Sequence, residues 1–155
     1  MEKEKINIVW FKKDLRLNDH EPLTIAAASS LPVLLIYIFE PSVMQFADND
    51  VRHLRFIYQS LNDMNQILSK VQKQLYYFHD ETLMVFKKLL EQFEIENIFS
   101  HEETGNNLTY KRDIEISEFC KRNDIIWKEY RTNGVIRKLK SRKYFQQRWN
   151  KTMEE

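Results

Sequence analysis

Five short runs rich in apolar and β-forming residues recur along the chain: INIVWF at 6–11, PVLLIYIF at 32–39, QLYYFH at 74–79, IENIFSH at 95–101 and DIIWKEY at 124–130. Between them the apolar residues change period. Leu54, Ile57, Tyr58, Leu61, Met64 and Leu68 follow the three-to-four spacing of a helical stripe, as do Leu83, Phe86, Leu90 and Phe93, then Ile116, Phe119 and Cys120. Strands separated by helices join as parallel neighbours, because each helix crosses a face of the sheet before the next strand begins. The expected fold is α/β: a five-stranded, mainly parallel sheet with helices on both faces, a Rossmann-like three-layer arrangement. Asp19, Asp50 and Asp80 stand where helices should start, and a carboxylate there accepts from free backbone N–H groups and opposes the helix dipole. Pro22 is tolerated because it falls in a first turn.

The 155 residues suffice for one domain that buries roughly two-thirds of the surface of its unfolded form. With 43% hydrophobic and 30% charged residues the chain is too apolar to stay disordered. Two glycines, Gly105 and Gly134, and three prolines are too few for an all-β fold of tight turns. The single cysteine, Cys120, excludes an internal disulfide, suits a reducing cytosol and is expected as a small core residue. The longest apolar run, VLLIYIF, is too short to span a bilayer, and MEKEKIN lacks the apolar core of a signal peptide. The expected location is therefore cytoplasmic, with no membrane partner. Residues 131–155 carry eight Lys/Arg against two Glu, leaving sixteen against twenty-one in the rest. The expected organisation is an α/β domain at 1–130 followed by a basic helix or linker at 131–155. Such a tail suits an acidic surface or nucleic acid.

Catalytic and phosphate-cradling patterns are missing. Two glycines cannot make a P-loop or a dinucleotide fingerprint. There is no nucleophile elbow, no cysteine pair and no HExxH. His101, Glu102 and Glu103 are adjacent, which does not set three side chains around one ion, so neither a metal nor a catalytic residue is expected. In open parallel sheets, ligands bind outside the carboxyl ends of the strands where strand order reverses. The first strand ends in FKKDLRLND, and the second and fourth lead into FEPSVMQFADND and SHEETGNN. These loops are expected to line one pocket, with Asp14 and Arg16 bracing the first loop and Asp19 capping the helix after it. A stand-alone nucleotide-binding module of the stress-response type is the alternative; it would need phosphate-binding backbone near Gly105.

VWFKKDLRLNDHEPL at 9–23 resembles the N-terminal signature of the DNA photolyase/cryptochrome family, W-[FY]-[RK]-[RK]-D-L-R-L-x-D-[NH]-x-x-L. YIFEP at 37–41, RHLRFIYQSLNDMNQIL at 52–68, similar to that family's R-x-x-F-x-x-x-S-L-x-x-L helix, and YKRDIEI at 110–116 follow in the family's order. The tail from Asn133 resembles the segment linking domains in a bacterial branch that also carries HEETGN. The resemblance implies an antenna-chromophore domain. It also implies a separate helical domain that binds FAD, the partner through which a full-length protein reaches DNA for light-driven repair, as a deoxyribodipyrimidine photolyase-like lyase, or for signalling. This chain alone is then not catalytic, and Trp10, Trp127 and Trp149 are not an electron relay. Family members with a folate antenna carry an Asn-Glu pair where Leu108 and Thr109 stand, so the resemblance favours a flavin, deazaflavin or lumazine antenna over folate. The implied pocket comprises Phe11, Lys13, Leu15, Phe39, Glu40, Glu102 and Glu103, with Phe39 and Met44 bulky enough to fill it.

Overall fold

The computed structural model describes residues 2–132, 135, 137 and 140–154. Its elements are β1 (Glu4–Phe11), α1 (Glu21–Ala27), β2 (Val33–Phe39), α2 (Pro41–Met44), α3 (Val51–Ser69), β3 (Leu75–His79), α4 (Thr82–Gln92), β4 (Phe93–His101), α5 (Asn107–Arg122), β5 (Ile126–Tyr130) and α6 (Phe145–Glu154). Each apolar run has become a strand. The sheet order is β3-β2-β1-β4-β5, and every pairing is parallel. The chain therefore winds outward from β1 to β3 and returns to β4 on the other side of β1, which sets the reversal of strand order between β1 and β4.

Period-two alternation along the strands distributes their side chains between two cores. Val9, Phe11, Leu35, Leu75 and Phe99 pack on one face with Ala26 of α1 and Leu61, Met64 and Leu68 of α3. Ile8, Trp10, Ile36 and Ile98 pack on the other with Phe86 and Leu89 of α4 and Ile116 and Phe119 of α5. The expected three layers are present. The β1–β4 register shifts between Ile6 and Asn7, passing over Glu96, so that Ile95 and Ile98 reach the same core. Asn7 is wholly buried in β1; it donates to the Ser29 hydroxyl and accepts from the Asn97 amide, each at 2.9 Å. Trp10 packs edge-on against Phe86 at 5.4 Å and beside Trp127 at 5.7 Å, whose indole N–H donates to Ser100 Oγ. Cys120 is buried, and burial pushes its thiol up to about 12, the behaviour of an inert core residue.

Several expected helix ends differ. α1 is capped by His20, whose Nδ1 accepts from the Leu23 N–H at 3.1 Å, whereas Asp19 sits before it in the left-handed region at φ 49°. Asp50 does cap α3, accepting from the Arg52 N–H at 2.8 Å. Asp80 lies one residue ahead of the cap position of α4; it accepts from the Glu81 N–H and pairs with Lys88 at 2.7 Å. Phe93 does not continue the stripe of Leu83, Phe86 and Leu90. Its backbone is extended and pairs with Glu4 as the first residue of β4, because the FEIENIF run gains a full parallel ladder with β1. Tyr58 is half exposed. Residues 133, 134, 136, 138 and 139, Gly134 among them, lie outside the described residues. α6 buries no residue and leaves Phe145, Trp149 and Met153 exposed. Among the described residues no helix is long and apolar enough to cross a membrane.

Candidate functional site

A cleft of about 300 Å³ opens at the carboxyl ends of β1 and β2, next to the reversal of strand order. Phe11, Tyr37 and Phe39 rise from the strand ends as its aromatic floor. Val43 and Met44 of α2 and Leu54 and Ile57 in the first turns of α3 form a wall, which leaves the centre apolar. The polar end is made by Lys13, Glu40, Glu103 and Arg112. Six of the seven expected pocket residues are thus together: Phe11, Lys13, Leu15, Phe39, Glu40 and Glu103. Glu102 is the exception; it lines a separate cavity of about 160 Å³ with Arg16, His101 and Thr132. Phe39 and Met44 stand in the walls and do not plug the cleft. Sequence reasoning missed Arg112, Tyr37 and the α3 wall. The helical stripe marked Ile57 as a core residue, but only the placement of α3 over the end of β2 turns its first turns toward a ligand.

Beneath the polar end lies a buried ionic network. The Arg112 guanidinium donates to Glu40 Oε1 at 2.5 Å, to Glu103 Oε2 and to Asp113 Oδ1 at 2.8 Å. Asp113 also accepts from Arg137 at 3.0 Å, and Arg137 in turn pairs with Glu129 at 3.1 Å. Lys12 Nζ stands 3.5 Å from Asp113 and 4.2 Å from the centroid of the Trp10 ring, a partner for a cation removed from water. Burial pushes the Glu40 carboxyl up, against the pull of Arg112. Burial likewise lowers the Lys12 ammonium, with Asp113 offsetting part of the change. For Arg112 burial works downward too, but Glu103, Glu40 and Asp113 outweigh it and hold the guanidinium above its ordinary value.

The turn after β1 is held by a second buried group. His20 Nε2 and His101 Nδ1 each lie 2.6 Å from Asp14 Oδ2, and the Lys12 N–H donates to Asp14 Oδ1 at 2.8 Å. Burial acts to raise the Asp14 carboxyl, but the hydrogen bonds from His101, His20 and Lys12 prevail and hold it well below the usual carboxylate range. Asp14 is therefore the expected brace, though its partners are histidines. Arg16 instead donates from Nε to the Asp19 carbonyl at 3.0 Å, and its backbone N–H donates to the Asp14 carbonyl. The three ligating atoms lie close enough to surround an ion. The tautomer argues otherwise: His20 Nδ1 accepts from the Leu23 N–H, so the neutral ring carries its proton on Nε2, the atom a metal would need. The donors fit a hydrogen-bonded lock. Near Gly105 a Cβ would strike the Thr109 side chain and lie 3.3 Å from Glu103 Oε1, so this chain's own side chains, a carboxylate among them, occupy the place a phosphate would need.

A doubly wound sheet with an aromatic-floored cleft beside its switch point is the arrangement in which open α/β sheets commonly hold ligands. The family model for DNA photolyase matches residues 7–152, and the chain belongs to that family. It is 30% identical over 113 residues to cryptochrome DASH of Synechocystis, and 29% identical over 117 residues to cryptochrome DASH of Gloeobacter violaceus. These matches cover 69% and 72% of this chain and 23% of each relative, so the chain spans about a quarter of the length of the curated relatives it matches. Among solved structures, a Synechocystis cryptochrome superposes with a TM-score of 0.76 at 24% identity, over 87% of this chain and 29% of the other. An archaeal photolyase from Sulfolobus tokodaii, solved with two FAD molecules and discussed as implying a novel light-harvesting cofactor, gives 0.73 at 22% identity, over 94% and 35%. The shared fold is the photolyase N-terminal α/β domain.

Proposed function

We propose that residues 1–130 form an antenna-chromophore domain and that 131–155 lead toward an FAD-binding helical domain of the same protein. The observation that carries this reading is the cleft: apolar walls, an aromatic floor and a polar rim at the ends of β1 and β2. The chemistry supplied by a bound chromophore is absorption of light and transfer of the excitation to FAD, which requires no proton transfer or nucleophile from the protein. The chain's residues have a simpler task. Phe11, Tyr37 and Phe39 would back a conjugated ring and exclude water, Leu15, Leu54 and Ile57 would hold it from the sides, and Glu40 and Glu103 would accept hydrogen bonds from it. The Asp14 lock holds the loop that carries Lys13 and Leu15.

Leu108 and Thr109, in place of the family's Asn-Glu pair, favour a flavin, deazaflavin or lumazine over folate. The chain itself carries out no catalysis. The longer protein acts in the cytoplasm, either on DNA as a light-driven, FAD-dependent lyase or in blue-light signalling, a reading supported by the photolyases and cryptochromes it resembles. The test is fluorescence titration of the chain with a ribityl lumazine, a deazaflavin and a reduced folate, and calorimetric titration with ATP. Saturable binding of the lumazine or deazaflavin, with weaker binding of folate, is the expected result. Submicromolar ATP binding with no chromophore bound would instead favour the nucleotide-binding alternative.

A further inference from the structure

We infer that the cleft selects an uncharged, donor-rich ring system and discriminates against its phosphorylated counterpart. The inference rests on the antenna reading and adds the charge class of the ligand. Hydrogen-bonding capacity at the polar end is lopsided. Arg112 has Nε on Asp113, Nη1 on Glu40 and Nη2 on both Glu103 and Asp113, so four of its five N–H groups are engaged and its charge is shared among three carboxylates. Lys12 is buried on Asp113 and Trp10. Lys13 stands 3.6 Å from Glu103 with 71% of its side chain exposed, a weak and water-screened cation. Among the described lining residues every Lys and Arg is thus already beside a carboxylate. Acceptors are in surplus: a carboxylate offers about four acceptor sites, and beside Arg112 only Thr82 at Glu40 and Lys13 at Glu103 draw on them among the described residues. A ligand therefore gains by bringing ring N–H groups and hydroxyls, while a phosphate finds no lysine or arginine of the cleft free of a carboxylate partner.

Riboflavin and FMN separate these terms, since they share a ring and a ribityl chain and differ by one phosphate. Titrating the chain at pH 8, where a phosphate monoester is dianionic, is expected to show riboflavin binding at least about tenfold more tightly than FMN. Glu103→Gln, which releases Arg112 and Lys13 from a shared carboxylate, is expected to raise FMN affinity relative to riboflavin. Should that variant fail to fold, the wild type still decides: its riboflavin affinity should not change with added salt, and its weaker FMN affinity should not fall further. FMN binding as tightly as riboflavin, or an FMN affinity that drops steeply with salt, would overturn the inference and leave the antenna reading standing. Failure of both flavins to bind, with the deazaflavin and lumazine also silent, would overturn both.

Discussion

At the residue scale, the two buried ionic groups make separable claims. Asp14 accepts from His20, His101 and the Lys12 N–H, so Asp14→Asn would turn a donor toward at least one of these partners. A loss of about 3 kcal/mol at pH 7 is expected from urea unfolding. The pH dependence follows from the direction of the shift. A carboxylate held below its unfolded value of 3.8 adds stability above that value, and this stability is lost as pH falls toward its folded value. Wild-type stability should therefore decline below about pH 4, while Asp14→Asn should lack that part of the decline. Arg112→Met makes a different demand, because it strands Glu40, Glu103 and part of Asp113 in a dry site. Urea unfolding should show a loss of about 4 kcal/mol, and an intact wild-type stability would refute the claim that the network is closed by Arg112.

At the scale of elements, what could be read from the chain was whatever depends on local pattern. The five apolar runs became five strands, and Leu61, Met64 and Leu68 turned their stripe inward as helical spacing requires. Phe93 kept helical spacing yet became a strand residue, since pairing with β1 is a long-range gain that no local window contains. The caps divide in the same way: Asp50 was legible because aspartate is a common cap, whereas His20 became one because its ring is gripped by Asp14. The site was half legible. Loop position brought out Glu40 and Glu103, but the contacts of His101 with Asp14 and of Arg112 with Glu40 cross 87 and 72 residues and arise only when the sheet assembles. Because α3 is a wall of the cleft, its start should couple to binding. Asp50→Ala is expected to cost about 1 kcal/mol in thermal or urea unfolding and to weaken chromophore binding by loosening the turn that holds Leu54. Unchanged affinity would place Leu54 outside the working wall.

At the scale of the whole molecule, the sheet and its four covering helices hold the core, and α6 stands apart from it. Removing residues 141–155 should leave unfolding free energy unchanged within about 0.5 kcal/mol, because none of the described residues there is buried. Arg137 belongs to the opposite class. It reaches back from the basic tail to Asp113, Glu129 and the Glu103 carbonyl, tying the segment after β5 to the network under the cleft. Arg137→Ala is expected to cost about 2 kcal/mol, more than the whole of α6, by the same measurement. The direct test of the cleft as an antenna site is a difference absorption spectrum of the chain mixed with a ribityl lumazine, for the wild type and for Leu15→Trp, whose added ring fills the cleft. A saturable shift of the chromophore band in the wild type, lost in a folded Leu15→Trp, is the expected result; no shift in the wild type, or an equal shift in both, would contradict it.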